Sequence, residues 1–242
     1  LQEWDRYLDI LVNGRQFQKE AIQNSIIFLA SGLYKNTSHL IEENWKDSKK
    51  FEIKSRFTNL ADYQKQLQLP SKLSATIDLA TGTGKSYVIY GIAQIMLGLG
   101  LVDRVLVLCP SLTIEDGLIE KFTGLSADSQ LVNAIPVNAK WKNPSIKSAD
   151  VTIKEGDICV ENIHAVYETT GSSIKVSFAD NGRRTLVLND EAHHIYNKFE
   201  GRDKATKSIK KWKEFILNPD FNFKYSLGFT GTAYIEDEYF ND

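Results

Sequence analysis

No stretch of 18 apolar residues occurs anywhere in this chain of 242 residues, so nothing in it reads as a transmembrane helix. The opening residues LQEWDRYLDI carry no leader of the secretory type, and the expected location is cytoplasmic. Cysteine is scarce. Cys109 and Cys159 each lie inside an apolar run without metal-ligand spacing, which excludes a disulfide framework and leaves two buried thiols of a reducing compartment. Charge of one sign is missing too: a net charge of −2 gives no global pull toward a polyanion, so any such contact must be local. There are no internal repeats and no low-complexity linkers. The acid and acid-x-Lys pattern of a nuclease is absent in usable form. Glu52, Ile53 and Lys54 after Asp47 are spaced too tightly in too polar a segment, and Asp220 with Lys224 is no better. No methyl-transfer or base-reading module is visible.

What is present is an ordinary globular balance, 42% apolar and 25% charged, long enough for one compact α/β domain with a full core. Helices are expected around residues 2–11 and 16–30. A polar, aromatic-studded stretch follows over 31–72, in which Leu60, Tyr63, Leu67 and Leu69 form a short stripe that could dock on a sheet. The chain then alternates: a strand at 75–79, a helix at 84–98, a strand at 104–109 and a helix around 114–122. That order predicts right-handed crossovers and a mainly parallel sheet flanked by helices. Residues 126–154 read as loop, and the runs 174–178 and 184–188 around ADNG read as an antiparallel hairpin.

The string ATGTGKS at residues 80–86 sits where the apolar strand meets the apolar helix. Gly82 and Gly84 let the backbone turn tightly, so that N–H groups point inward at phosphates seated on the positive end of the helix dipole. Thr81, Gly82, Thr83 and Gly84 would cradle a triphosphate. Lys85 would reach its β and γ phosphates, and Ser86 would offer its hydroxyl to a bridging Mg²⁺. The general pattern has Gly five residues before Gly84, where Leu79 stands here. Alone, the string could also be a Gly-rich turn that only caps a helix.

A second string, DEAH at 190–193, ends the apolar run Thr185, Leu186, Val187, Leu188, Asn189. Such a run delivers acids to the carboxyl edge of a parallel sheet, where α/β folds bind ligands. Asp190 is the expected Mg²⁺ partner and Glu191 the expected base that orients the attacking water. The same acids could instead be the first-turn charge of a following helix. A third string, TGTA at 230–233, ends another strand-like run over 224–229. Lys85, Asp190 and Thr230 then each follow a strand, so three edges of one sheet converge on one nucleotide.

The order ATGTGKS, DEAH, TGTA resembles motifs I, II and III of superfamily 2 helicases and translocases, with a spelling most similar to the motor (Res) subunit of type III restriction enzymes. The resemblance implies a RecA-like P-loop NTPase domain that uses ATP and Mg²⁺. It covers roughly residues 15–234, divided into an adenine-reading helix over 15–30, an insertion over 31–72 and a P-loop core over 73–234. In RQFQKEAI at 15–22 it places Gln18 at the adenine edge, with Phe17 or Arg15 against the face of the base. An amide can bond a donor and an acceptor at once, which suits adenine. RVLVLCP followed by Ser111, Leu112 and Thr113 resembles motif Ia, and DICVENIH resembles motif Ib, with Asn162 and His164 at the nucleic-acid positions. Those small polar side chains suit phosphate contact and are equally ordinary helix caps. His193, Thr230 and Thr232 would couple the nucleotide to the nucleic-acid face. The implied track is DNA, double-stranded by preference, with RNA left open.

Several features depart from the family or fall outside its motifs. Tyr234 follows TGTA where many relatives have Pro. The chain stops eight residues after Tyr234 and begins with Leu, which points to a piece of something longer. The second motor domain, whose arginines reach the γ phosphate, is expected outside it, as are any nuclease or methyltransferase modules of the same protein or complex. NGRR at 181–184 has two adjacent arginines but reads as a turn. Without an arginine finger, hydrolysis by this piece should fall by about 10³ to 10⁵, roughly 4 to 7 kcal/mol of barrier. Residues 198–213 hold seven basic and two acidic side chains around Ile209 and Trp212, an amphipathic helix whose basic side either meets a backbone or is simply solvated. Trp141 between Lys140 and Lys142 is another candidate for stacking on a base. An ATP-gated sensor or clamp that does not translocate would carry the same motifs. A small-molecule phosphotransferase would not carry them in this order.

Overall fold

The computed structural model describes residues 1–47, 49, 51–167, 172–192, 212–231, 234–235 and 238–239. At its centre is a six-stranded sheet in the order β1-β6-β5-β2-β4-β3, formed by β1 (Leu73–Asp78), β2 (Arg104–Cys109), β3 (Ile146–Lys147), β4 (Ile158–Asn162), β5 (Thr185–Asn189) and β6 (Tyr225–Thr230). Every pairing in it is parallel, as the alternation of strands and helices predicts. The central strands β4, β5 and β6 are buried along their whole length, and their polar residues, such as Ser226 and Asn189, are hydrogen-bonded inside.

Helices cover both faces. On one side lie α1 (Asp5–Val12), α2 (Gln16–Ala30), α6 (Lys85–Gly98), α7 (Leu112–Ala127) and α8 (Ser129–Ala134), packed against Val105, Val107, Leu186, Leu188 and Leu227 of the sheet. From Val88 onward α6 is buried all round, because α1 and α2 lie over its outer side while the sheet lies beneath. The opposite face of the sheet presents Leu106, Leu108, Cys159 and Val187 to Ile174, Phe178, Trp212, Phe215 and Ile216. Burial pushes the Cys109 thiol up to about 12 and the Cys159 thiol well above its ordinary value, so both are inert.

Residues 31–72 hold α3 (Thr37–Lys46), α4 (Phe51–Arg56) and α5 (Leu60–Gln64). This segment closes the open edge of β1: Thr37 Oγ1 donates to Lys72 O at 2.7 Å and accepts from Ser74 N at 3.2 Å. Leu69 is fully buried while Leu60, Tyr63 and Leu67 are half-buried, so docking rests on the end of the expected stripe.

Two expectations are corrected. Residues 174–188 are not a hairpin: Ile174–Phe178 is a short helix that buries Ile174, Ser177 and Phe178 while Val176 is 77% exposed. Ile174, Val176 and Phe178 alternate in the sequence as a strand would, but tertiary packing selects the helical spacing. The Gly182 that suggested a turn is there for close approach, since a Cβ on it would lie 1.8 Å from Phe221 O. Residues 126–154 are also less irregular than expected, because α7 runs to Ala127, α8 follows at once and β3 adds an edge strand. The basic segment 198–211 lies outside the described residues. Among the described residues no helix is long and apolar enough to cross a membrane.

Candidate active site

Parallel strands place all their carboxyl ends on one edge of the sheet, and the three motif loops meet there. Backbone hydrogen bonds tie them together: Leu79 N donates to Thr230 O, Ala192 N to Phe229 O and Asp190 N to Leu108 O, each at 2.8 Å. β6 lies between β1 and β5, so Gly231 at its end abuts the glycine-rich loop after β1. A Cβ on Gly231 would sit 2.9 Å from both Thr81 N and Thr81 Oγ1. The expectation named Thr230 and Thr232 in this string and missed Gly231, although a glycine between two threonines was a signal of close approach. Thr230 is fully buried at the end of β6.

The loop itself is built as its letters require. Gly82 and Gly84 have φ of +80° and +82°, a region that costs other residues about 1 kcal/mol. Thr83 closes the turn by donating from its N (3.2 Å) and Oγ1 (2.6 Å) to Ala80 O. Thr81 and Gly82 are exposed, Thr83, Gly84 and Ser86 half-buried, and Lys85 buried in the first turn of α6. Leu79, at the position where the general pattern has Gly, is buried and keeps the chain extended through its bond to Thr230.

Lys85 and Glu191 meet across the site: Nζ lies 2.6 Å from Oε1, with the side chains 9% and 21% exposed. Glu191 has φ +50°, an uncommon conformation for a non-glycine residue, and its N–H donates to Asp190 Oδ1 at 3.0 Å. Asp190 is buried, and its pKa is raised to about 6, first by desolvation and then by the Glu191 charge, against the opposing pull of Lys85. A divalent cation beside Asp190 would reverse that sign. Among the described residues no group of three or more His, Cys, Asp or Glu could hold a metal. A Mg²⁺ here would therefore take most of its oxygens from phosphates and water, with Ser86 and Asp190 as the protein's share.

Gln18 is completely buried beside the loop. Its Nε2 donates to Thr83 O, and its Oε1 has no hydrogen-bond partner among the described residues. That orphaned acceptor is what an adenine amino group would satisfy. Arg15 and Phe17 are exposed on the same turn, Phe17 at 45%.

The outer candidates divide. Ser111 caps α7 by accepting from Ile114 N at 3.4 Å, while Thr113 and His164 are exposed. Asn162 is a correction to the expected nucleic-acid contact. It is buried, with its N (2.9 Å) and Nδ2 (2.8 Å) both donating to Glu115 Oε2, so its amide fastens the end of β4 to α7 instead of facing outward. Trp141 packs against Gly156, ahead of β4, and Arg184 pairs with Asp103, ahead of β2. Both therefore belong to the amino edge of the sheet. A five-residue strand of about 16 Å separates Arg184 from the loops, so it is no arginine finger. His193 and Thr232 lie outside the described residues.

The site is thus built on the carboxyl edge of a parallel α/β sheet, where a glycine-rich loop, a paired acid and lysine, and the end of β6 meet. The chain belongs to the family described as type III restriction enzyme, res subunit, whose model matches residues 11–235. No curated protein matches it. Among solved structures it is similar to the UvsW helicase from bacteriophage T4, at 18% identity over 71% of this chain and 52% of that one, with a TM-score of 0.39. It is also similar to a nuclease-deletion mutant of the type ISP restriction-modification enzyme LlaGI in complex with a DNA substrate mimic, at 14% identity over 66% of this chain and 16% of that one, with a TM-score of 0.42. The chain thus spans about half or less of the length of these structures.

Proposed function

We propose that this chain is the ATP-binding and hydrolysing domain of an ATP-dependent DNA translocase or helicase, within a restriction or defence enzyme. The observation that carries the reading is the meeting of Lys85 and Glu191 at 2.6 Å, beside buried Asp190 and under the motif III strand. A cation that would neutralise phosphate charge and a carboxylate that would align water are brought together from distant parts of the chain. ATP would lie with its phosphates on residues 81–86 and its adenine amino group on the orphaned Gln18 Oε1, with Phe17 or Arg15 at the base's face. Lys85 would exchange Glu191 for the β and γ phosphates, leaving the carboxylate to accept a proton from water. Ser86 and Asp190 would hold Mg²⁺, which supplies charge neutralisation at the phosphate oxygens. His193, Thr230 and Thr232 would relay the nucleotide state, and Ser111, Thr113 and His164 would meet the DNA backbone. The family's restriction enzyme name supports DNA over RNA as the track.

The test is ATP hydrolysis by the full-length protein with duplex DNA, single-stranded DNA or RNA, beside Glu191→Gln. Strong stimulation by one polymer that Glu191→Gln abolishes is the expected result and names the track. Nucleotide binding without turnover on any polymer would overturn the motor reading and leave an ATP-gated clamp.

A further inference from the structure

Tyr87 follows Ser86 directly and sits in the first turn of α6, where neither the motif letters nor the family resemblance gives it a task. Its position is defined from two sides. A Cβ built on Gly84 would lie 3.2 Å from Tyr87 Cδ2 and 2.6 Å from Gln18 Nε2, so the ring edge and the amide flank the same point of the loop. Lys121, on α7, places its ammonium 4.2 Å from the centre of the Tyr87 ring. Both side chains are half-buried, so the ring stays accessible. Gln18 beside it is fully buried and keeps an acceptor unpartnered. The ring thus borders the ground between the phosphate loop and the orphaned amide.

We propose that Tyr87 forms the sugar-side wall of the nucleotide site, with its ring packed against the ribose, and that Lys121 is a positioning residue that holds the ring there. The inference rests on the reading of residues 80–86 as a nucleotide triphosphate loop and deepens it. A nucleotide whose phosphates occupy the loop and whose base reaches Gln18 must carry its sugar past Gly84 and Tyr87. An aromatic ring offers that sugar an apolar platform at low entropic cost, since only two torsions need fixing. The Lys121 ammonium over the ring fixes those torsions in advance. The ligand class follows: a nucleoside di- or triphosphate is favoured over a bare polyphosphate by contacts the loop alone does not make.

The experiment compares ATP with tripolyphosphate, which has the phosphate chain but neither sugar nor base. Affinities of the whole protein for both are measured by competition against a fluorescent ADP, for wild type, Tyr87→Leu, Tyr87→Phe, Lys121→Met, Lys121→Arg and, as control, Lys85→Ala. Tyr87→Leu should weaken ATP by about five-fold or more and leave tripolyphosphate unchanged, with Tyr87→Phe close to wild type. Lys121→Met should shift ATP in the same direction by a smaller factor, and Lys121→Arg should restore it. Lys85→Ala should weaken both ligands. If Tyr87→Leu weakens both ligands equally, the ring merely supports the loop and the proposal fails. If it weakens neither, the ring touches no ligand and the proposal fails. If wild type binds neither, the phosphate-loop reading falls and this inference with it.

Discussion

At the residue scale the site is held by pairs that must change partners. Lys85 and Glu191 pair at 2.6 Å, so under the proposed function a nucleotide would displace the carboxylate before the lysine meets phosphate. The expected consequence is that Glu191→Gln, besides ending hydrolysis, binds ADP about three- to ten-fold more tightly, because a neutral amide competes less for the ammonium. Titration with fluorescent ADP checks this without involving turnover. Gly231 gives a second prediction. A methyl group there would approach Thr81 N and Oγ1 to 2.9 Å and Leu79 O to 3.2 Å, so the loop must shift. Overpacking of this kind costs about 1–3 kcal/mol, and Gly231→Ala should weaken nucleotide by about ten-fold if the loop absorbs about 1.4 kcal/mol of it. The same titration, with a denaturant curve for stability, separates the loop effect from general destabilisation. Phosphate-loop letters were legible without a structure because their backbone requirement is local. Gly231 was not, since what it avoids lies on a different strand.

At the element scale the two edges of the sheet do different work. Its carboxyl edge carries the loops, and its amino edge is fastened by charge. Asp103 accepts from Arg184 Nε and Nη2 and from Lys140 Nζ, each at 2.8 Å, just ahead of β2 and β5. The Arg184 and Lys140 bonds hold the Asp103 carboxyl at about 2, below its ordinary 3.8, against the opposing effect of burial. A group depressed on folding contributes stability above its unfolded value and loses it as pH falls through the folded one. Stability should therefore fall between about pH 4 and pH 2, by about 1 kcal/mol once the 47% exposure of both cationic side chains is allowed for. Asp103→Asn should remove this component, visible as a flatter dependence of urea midpoint on pH over that interval. Elements whose burial repeats simply along the chain, such as β5 and α2, were readable from the sequence. Residues 174–178 misled because two periodicities coexist in five residues, and only the position of the sheet decides which one is buried.

At the scale of the whole molecule, the described residues bring the candidate site together on one edge of one sheet. Arg184 cannot reach the loops, since it is bound to Asp103 and Gly100 O a strand's length away. If the proposed function holds, the chain alone should bind ATP and hydrolyse it slowly, by a factor of about 10³ to 10⁵ relative to a protein that also supplies a second motor domain. Adding that domain, covalently or in trans, should restore turnover in a coupled ATPase assay. Unaided turnover at the full rate would show that the chain completes its own site. Among the described residues, the segment over 31–72 closes the edge of β1 through Thr37.

The sequence by itself determined the parallel sheet, the glycine turn after β1 and the two acids at the end of β5, because each depends on a short run of residues whose backbone preference and burial are set locally. The tertiary structure decided which polar groups face the site and which are used up inside. Asn162 looks like a backbone contact in the sequence and is committed to Glu115 in the fold. Tyr87 looks like one more helix residue and is set between Gly84 and Lys121. Partners such as these are separated by tens of residues along the chain, and only the packing of α6 and α7 on one face of the sheet brings them together.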